Sequence, residues 1–365
     1  MDLAFLNPLC TRPGPWASVY VDTSRHTEST ADERSLEALG VQRALTAAGA
    51  DEATCHAMRS AVEDLRHSRE PVGRAFFGRA GEVVLDPPLS TPPQRTSAHW
   101  SALPHTTPLL DLAGEDPLCL VAYIDRTGAD FELRSARGES TAGKVTGQQW
   151  PVHRTGSADW SERHFQLRVE NTWEHNAGEI AEALGRCQAE TRAELVVLVG
   201  DDRECVAVRD RLPHQLKDSV VRARHGAESR LLDSELEQAR AEHVALRAAH
   251  DLALFAEARG QGEAAAEGVP ALVDAAREHR IAELLIRSDG PDAHREVWVG
   301  DSPDQLGVRR TDAEALGGGD VVSARADDAL MRCAATSGAA GLSVASADPS
   351  AAPAGGLGAL LRWSE

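Results

Sequence analysis

Three short apolar runs place the tightest limit on what this chain can fold into: "LCLVAYID" at 118–125, "ELVVLVG" at 194–200 and "IAELLIR" at 281–287. Each is too short for a buried helix and is followed by turn-forming residues, which is how a buried strand reads. A fourth run, "WASVYVD" at 16–22, alternates β-branched and aromatic residues and also reads as a strand. Between these runs lie stretches with helical spacing, so the fold class is α/β with α+β character. At 365 residues the chain is too long for one ordinary core, and about 150 residues per domain gives two or three. The proline-rich stretches "DPPLSTPPQ" and "LPHTTPLLDLAGEDP" carry the chain out of the first domain. Three domains are expected: 1–113, 114–232 and 233–365.

In the first segment, Thr30 and Glu33 have capping-box spacing ahead of "RSLEALGVQRAL". A second helix follows at "DEATCHAMRSAVEDLRH", then a hairpin over 73–89 that turns at Gly78 to Gly81. In the middle segment, "RTGAD" turns the first strand back into "FELRS". A long helix starting near Ser161 is expected next, because Phe165, Val169, Trp173, Ala177, Ile180 and Leu184 form a stripe at intervals of three or four. "LPHQLKDSVVRA" closes the segment with an edge strand. The last segment opens with a helix from about Leu236 to Ala258 and continues through the 281–287 strand, "EVWVG", "DVVSARA", the helix "DDALMRCAATS" and "GGLGALLRW".

Composition narrows the class. No apolar run approaches the roughly 18 residues that cross a bilayer, and "MDLAFLNPLC" lacks the basic segment and cleavage site of a signal peptide. A cytoplasmic location is expected. The six cysteines show no C-x-x-C pair, which argues against a zinc knuckle or a disulfide framework and for small buried hydrophobes. The net charge of −19 weighs against a nucleic-acid partner. Its distribution softens that objection: 236–365 carries 12 basic against 21 acidic residues, whereas 203–230 carries seven basic against four acidic. That basic stretch holds Arg209, Arg211, Lys217, Arg222 and Arg224. It is either a solvated helix face or an RNA-backbone contact.

Several possible sites have bland readings that fit better. Gly260-Gln-Gly262 follows a helix and lacks the G-K-[ST] ending of a phosphate loop. Gly200-Asp201-Asp202 is placed where ligands bind in α/β sheets, but it reads more simply as a helix N-cap. Asp125, Asp130 and Glu132 lie on a hairpin whose residues face alternate sides, so no metal set is expected. His153, His164 and His175 are 11 residues apart, unlike compact metal motifs. No nucleophile–base arrangement is legible, and no cofactor is expected. What remains is the stretch His153, Arg154, Thr155, Gly156, Ser157, Asp159, Trp160, Arg163 and His164. Its interleaved cationic and aromatic side chains suit stacking on RNA bases and bonding to phosphates; its alternative is a plain solvent-exposed connection.

The last residues add a resemblance. "GGLGALLRW" at 355–363 resembles the G-G-I-G-G-I-L-R-Y close of the third domain in archaeal and eukaryotic class 1 release factors and Pelota. "FAEARGQGEAAAEGVPALVDAAREHRIAELLI" at 255–286 looks like the same domain's helix, G-K-x-x-x-G loop, helix and strand, with Gln261 in place of lysine. "LCLVAYIDRTGADFELR" and the helix after it are similar to the family's central RNase H-like domain, "LRVE" and His175-Asn176 echo the helix after its active loop, and "GPWASVYVDTS" is typical of bacterial members. The actinobacterial members related to the hibernation factor Balon are the nearest group by this resemblance.

The resemblance implies a central RNase H-like domain and a C-terminal α/β sandwich of the release factor and Pelota type. It also implies a monomer that enters the ribosomal A site, with rRNA of the decoding and peptidyl transferase centres and elongation factor Tu as partners. In release factors a Gly-Gly-Gln loop reaches the peptidyl transferase centre, where the glycines allow a tight bend and the glutamine region orients water. The corresponding stretch here reads "RTGSADW", with no Gly-Gly and no glutamine. Gly147-Gln148-Gln149 falls in what should be the preceding strand. The resemblance therefore implies no catalytic residue and a protein that occupies a site, with peptidyl-tRNA hydrolysis as the alternative.

Overall fold

A computed structural model describes residues 1–12, 14–24, 30–65, 72–125, 128–134, 164–168, 173–217, 219–223, 233–262, 264–317, 319–345 and 351–363. These divide into two compact units, one formed by 1–114 together with 250–365 and the other by 115–249.

The first segment contains α1 (Asn7–Cys10), β1 (Trp16–Asp22), α2 (Thr30–Ala47), α3 (Glu52–Glu63), β2 (Gly73–Arg79), β3 (Glu82–Leu85), β4 (Pro88–Leu89), β5 (Ser97–Ser101) and α4 (Pro108–Leu112). Its sheet runs β3-β2-β1-β5, with β4 beside β2, and β1 pairs antiparallel with β2 and β5. The β2–β3 hairpin turns through Ala80 and Gly81, both at positive φ (49° and 80°), the mirror-image turn that matches strand twist. Asp51 caps α3 by accepting from the Thr54 amide. The Thr30–Glu33 capping contacts lie outside the described residues. β1 is buried on both faces: Ala17, Val19 and Val21 pack with Val41, Leu45, Met58 and Val62 of α2 and α3, while Trp16 and Tyr20 join a second core.

The 115–249 unit is built on β6 (Cys119–Asp125), β7 (Gly128–Arg134), β8 (His164–Arg168), α5 (Trp173–Thr191), β9 (Leu195–Gly200), α6 (Asp202–Arg211), α7 (His214–Lys217), β10 (Val220–Arg222) and the start of α8 (Asp233–Gln261). The sheet order is β10-β9-β6-β7-β8. β6, β7 and β8 form an antiparallel meander, and β9 and β10 run parallel to β6. This is the arrangement expected of an RNase H-like domain. Leu120, Ile124 and Phe131 face Ile180, Leu184 and Val208 of α5 and α6, and Val121, Val197 and Val199 face Leu236 and Ala239 of α8. Helices on both faces explain why the β6 and β9 sequences are apolar throughout.

One expectation is corrected here. The helix does not start near Ser161: α5 begins at Trp173, and Phe165 belongs to β8, paired with Phe131 of β7. Val169 lies outside the described residues. The "HFQLR" segment alternates at period two, which suits an edge strand, and its Phe165 also happens to sit eight residues before Trp173 on a helical stripe.

The remaining segment adds β11 (Ala265–Glu267), α9 (Val269–Arg277), β12 (Ile281–Ile286), β13 (Glu296–Val299), β14 (Leu306–Gly307), α10 (Arg310–Glu314), β15 (Val322–Arg325), α11 (Ala326–Ser337), β16 (Ala340–Ser343) and β17 (Leu357–Leu361). One sheet runs β11-β17-β12-β16 and a smaller one β14-β13-β15. The first and last segments, read from sequence as separate domains, share one core in which Leu3, Leu6, Trp16, Tyr20 and Phe77 pack with Leu284, Leu330, Met331 and Leu357. Backbone and charge reinforce the join. Asp2 bridges to Ala340, the Met1 ammonium donates to the Gly341 carbonyl at 2.7 Å, and the buried Arg332 guanidinium donates to the carbonyls of Cys10, Gly300 and Asp301.

All six cysteines are buried and free. Burial pushes the thiols of Cys10 and Cys205 up to about 11 and those of Cys187 and Cys333 up to about 12, so these four stay neutral and behave as small hydrophobes. Among the described residues no helix is long and apolar enough to cross a membrane.

Candidate functional site

The stretch singled out for RNA contact leaves and re-enters one sheet. β7 ends at Arg134, β8 begins at His164, and His164 stands opposite Glu132 in the antiparallel register. Residues His153 to Arg163 fall within the connection between these strands and lie outside the described residues, as do Gln148 and Gln149. The helix expected to follow this stretch is preceded by a strand, so the connection comprises residues 135–163 and contains both Gly147-Gln148-Gln149 and "RTGSADW".

Register fixes which end of the sheet carries that connection. Arg134 lies opposite Cys119, Cys119 opposite Leu195, and Val196 opposite Val220. The connection therefore emerges where β6, β9 and β10 begin. α6 starts just past the far end of β9, capped by Asp201, which accepts from the Arg203 amide, and must run back to let β10 start parallel to β9. Its last turn, with Arg209 and Arg211, and α7 with Lys217 thus return to the end of the sheet that carries the connection.

Arg222 stands apart from these three, at the end of β10, where it pairs with Asp202 at 3.5 Å. Arg224 lies outside the described residues. Arg211 donates to the Ala207 carbonyl at 3.0 Å and Lys217 to the Asp210 carbonyl at 2.9 Å, so both also satisfy backbone acceptors near helix C-termini. Arg209 is exposed and has no hydrogen-bond or ion-pair partner among the described residues. It is the freest cation of the group to meet a phosphate.

At the base of the connection Glu132 is buried, accepts from Arg134 at 2.6 Å, and Arg134 also reaches the Tyr123 hydroxyl at 3.2 Å. Asp130 and Glu132 are two residues apart on β7 and so share a face, contrary to the alternation expected from sequence; Asp130 is exposed and Glu132 is enclosed.

A second polar cluster was not singled out by sequence. Asp328, in the first turn of α11, accepts from the His105 imidazole Nδ1 at 2.9 Å, the Thr106 amide at 3.0 Å and the Thr107 hydroxyl at 3.3 Å. Asp327 beside it holds Arg325 at 2.6 Å, and Arg325 also reaches Asp328 at 3.5 Å. His105, Asp327 and Asp328 are the one close set of three metal-ligand-type side chains among the described residues. Arg325, beside both carboxylates, and His105, beside Asp328, are the protein's own partners for this cluster. The sequence signal was weak: His105 sits in a proline-rich stretch read as a linker, and Asp327 and Asp328 open a helix where acids are ordinary.

Comparison with known proteins supplies a family. The profile described as "Bacterial archaeo-eukaryotic release factor family 2" matches residues 118–261. The uncharacterized protein Rv2629 of Mycobacterium tuberculosis (strain ATCC 25618 / H37Rv) is 30% identical over 367 residues, covering 98% of this chain and 95% of its own length. The chain belongs to the bacterial archaeo-eukaryotic release factors. The uncharacterized protein MT2704 from the CDC 1551 / Oshkosh strain of the same species matches equally. Among solved structures, Archaeoglobus fulgidus Pelota is 15% identical with a TM-score of 0.35, over 80% of this chain and 79% of that one. Saccharomyces cerevisiae Dom34 is 11% identical with a TM-score of 0.36, over 68% and 64%. The family match covers the whole RNase H-like sheet, and with it the strands that carry the 135–163 connection.

Proposed function

We propose that this release factor relative is a ribosome-binding translation factor that occupies the A site, acts in hibernation or stress, and does not hydrolyse peptidyl-tRNA. The observation that carries the reading is the family match over 118–261, the domain whose strands β7 and β8 carry a connection lacking Gly-Gly-Gln. Arg209, Arg211 and Lys217 support it by adding cationic side chains at the same end of the sheet. The first segment approaches the decoding region and the connection points toward the peptidyl transferase centre. The acidic last segment faces proteins, elongation factor Tu among them. Off the ribosome the protein is a monomer in the cytoplasm.

Co-sedimentation with ribosomes from starved cells tests the core of this reading: the protein is expected in the 70S fraction, and its absence from both 70S and 50S fractions rejects it. Replacing Arg154, Trp160 and Arg163 together by alanine is expected to weaken binding at least tenfold, about 1.4 kcal/mol, with the thermal midpoint unchanged. Replacing Arg209, Arg211 and Lys217 by glutamine is expected to weaken binding across all rRNA contacts and to flatten its dependence on salt.

A second reading stays in view for one reason: Gln148 and Gln149 lie in the same inter-strand connection as "RTGSADW". If one of them orients water, the protein is a peptidyl-tRNA hydrolase. Ribosomes carrying labelled peptidyl-tRNA are expected to release no peptide on incubation with the protein. Release that disappears in Gln149→Ala would reverse the order of the two readings.

A further inference from the structure

The buried cluster that joins the first and last segments is one positive charge short. Asp327 and Asp328 are 0% and 3% exposed, and among the described residues Arg325 is the one permanent cation paired with them. The other donors around Asp328, the Thr106 amide and Thr107 hydroxyl, are neutral. Buried carboxylates without a counter-charge are costly, and the group placed to supply the missing charge is the His105 imidazole, 2.9 Å from Asp328.

We propose that the His105–Asp328 contact is a proton-operated latch: as an imidazolium, His105 fastens the 103–108 stretch to the first turn of α11, and loss of that proton loosens it. The contact joins residues 223 positions apart in sequence but inside one compact unit. His105 is well fixed for the task. Its amide donates to the Ser18 hydroxyl at 2.9 Å, and its carbonyl accepts from the Tyr20 hydroxyl at 2.6 Å. Both partners are on β1, so these bonds anchor the His105 backbone, and the ring's contact with Asp328 is separate from them.

The surroundings pull the imidazole in both directions, and the carboxylates prevail. Burial alone would lower the His105 pKa, but the charge and hydrogen bond of Asp328, helped by Asp327 and opposed by Arg325, raise it above the ordinary 6.5. His99 on β5, its ring centroid 4.7 Å from that of His105, moves down, through burial first and then through repulsion from His105. Burial, with Asp328 and Asp327, holds the Tyr20 hydroxyl well above its usual range, so it stays a neutral donor. Burial and the adjacent Asp328 raise the Asp327 carboxyl against the pull of Arg325. A histidine whose folded pKa exceeds its unfolded value stabilises fully below about pH 6.5, and that stabilisation is lost as pH rises through the folded pKa. The latch is therefore tight in a mildly acidified cell and slack in an alkaline one.

The test uses the full chain with histidine-selective isotopic labelling, titrated by NMR from mild acid to mild alkali, alongside amide exchange of the 103–112 stretch. His105 is expected to titrate above 6.5 and His99 below it, with exchange protection of 103–112 falling as His105 loses its proton. In Asp328→Asn the His105 titration is expected to drop to or below 6.5, and in His105→Asn the pH-linked loss of protection is expected to vanish. A wild-type His105 titration at or below 6.5, or a protection loss that persists in His105→Asn, overturns the latch. If neither variant folds, the wild-type titration and exchange decide it alone, because His105 deprotonating with no parallel loss of protection also overturns it.

Discussion

Phe131→Ala is expected to destabilise the 115–249 unit by about 3–5 kcal/mol, the cost of emptying a large aromatic site in a packed core. Phe131 is 1% exposed and lies in the cluster that seals the RNase H-like sheet against α5 and α6. Urea unfolding followed by amide exchange checks both magnitude and place. Protection is expected to fall in β6, β7 and β9, while β1 and β12 keep theirs, because the two units have separate cores. Equal loss in both units would contradict that separation.

Asp328→Ala is expected to cost the other unit about 3–5 kcal/mol at pH 6, since removing one partner of a buried pair strands the other. Three donors lose their acceptor at once: His105, Thr106 and Thr107. Thr106 and Thr107 are 4% and 1% exposed, so water does not readily replace the carboxylate. The cost is expected to shrink as pH rises and His105 becomes neutral, because a neutral imidazole is less costly to leave unpaired. Thermal unfolding of wild type and variant at pH 6 and pH 8.5 measures the difference.

The strands of this fold were legible because burial on both faces leaves a plain signature. "WASVYVD", "LCLVAYID", "ELVVLVG" and "IAELLIR" became β1, β6, β9 and β12 with boundaries within two residues. β8 was missed because five residues are too few to separate a period of two from one of 3.6, and Phe165 fits both. The grouping of the first and last segments left no local trace, since it rests on pairs such as Asp2 with Ala340 and His105 with Asp328. The basic group was legible in composition but not in shape: strand direction, which sequence does not display, returns Arg209 and Arg211 to one end of the sheet and leaves Arg222 by Asp202.

The placement of β17 bears on how the chain is made. Residues 357–361 are synthesised after every other strand of their sheet, yet their strand lies inside it, between β11 and β12. The sheet therefore stays open until residue 361 has been made, and the core that holds Trp16 and Tyr20 waits for partners such as Leu330 and Leu357, more than 300 residues further along the chain. The 115–249 unit, contiguous in sequence, has no such delay and can condense first. Nascent chains halted before residue 357 should thus hold a finished middle and an unfinished frame, the kind of intermediate that chaperones attend.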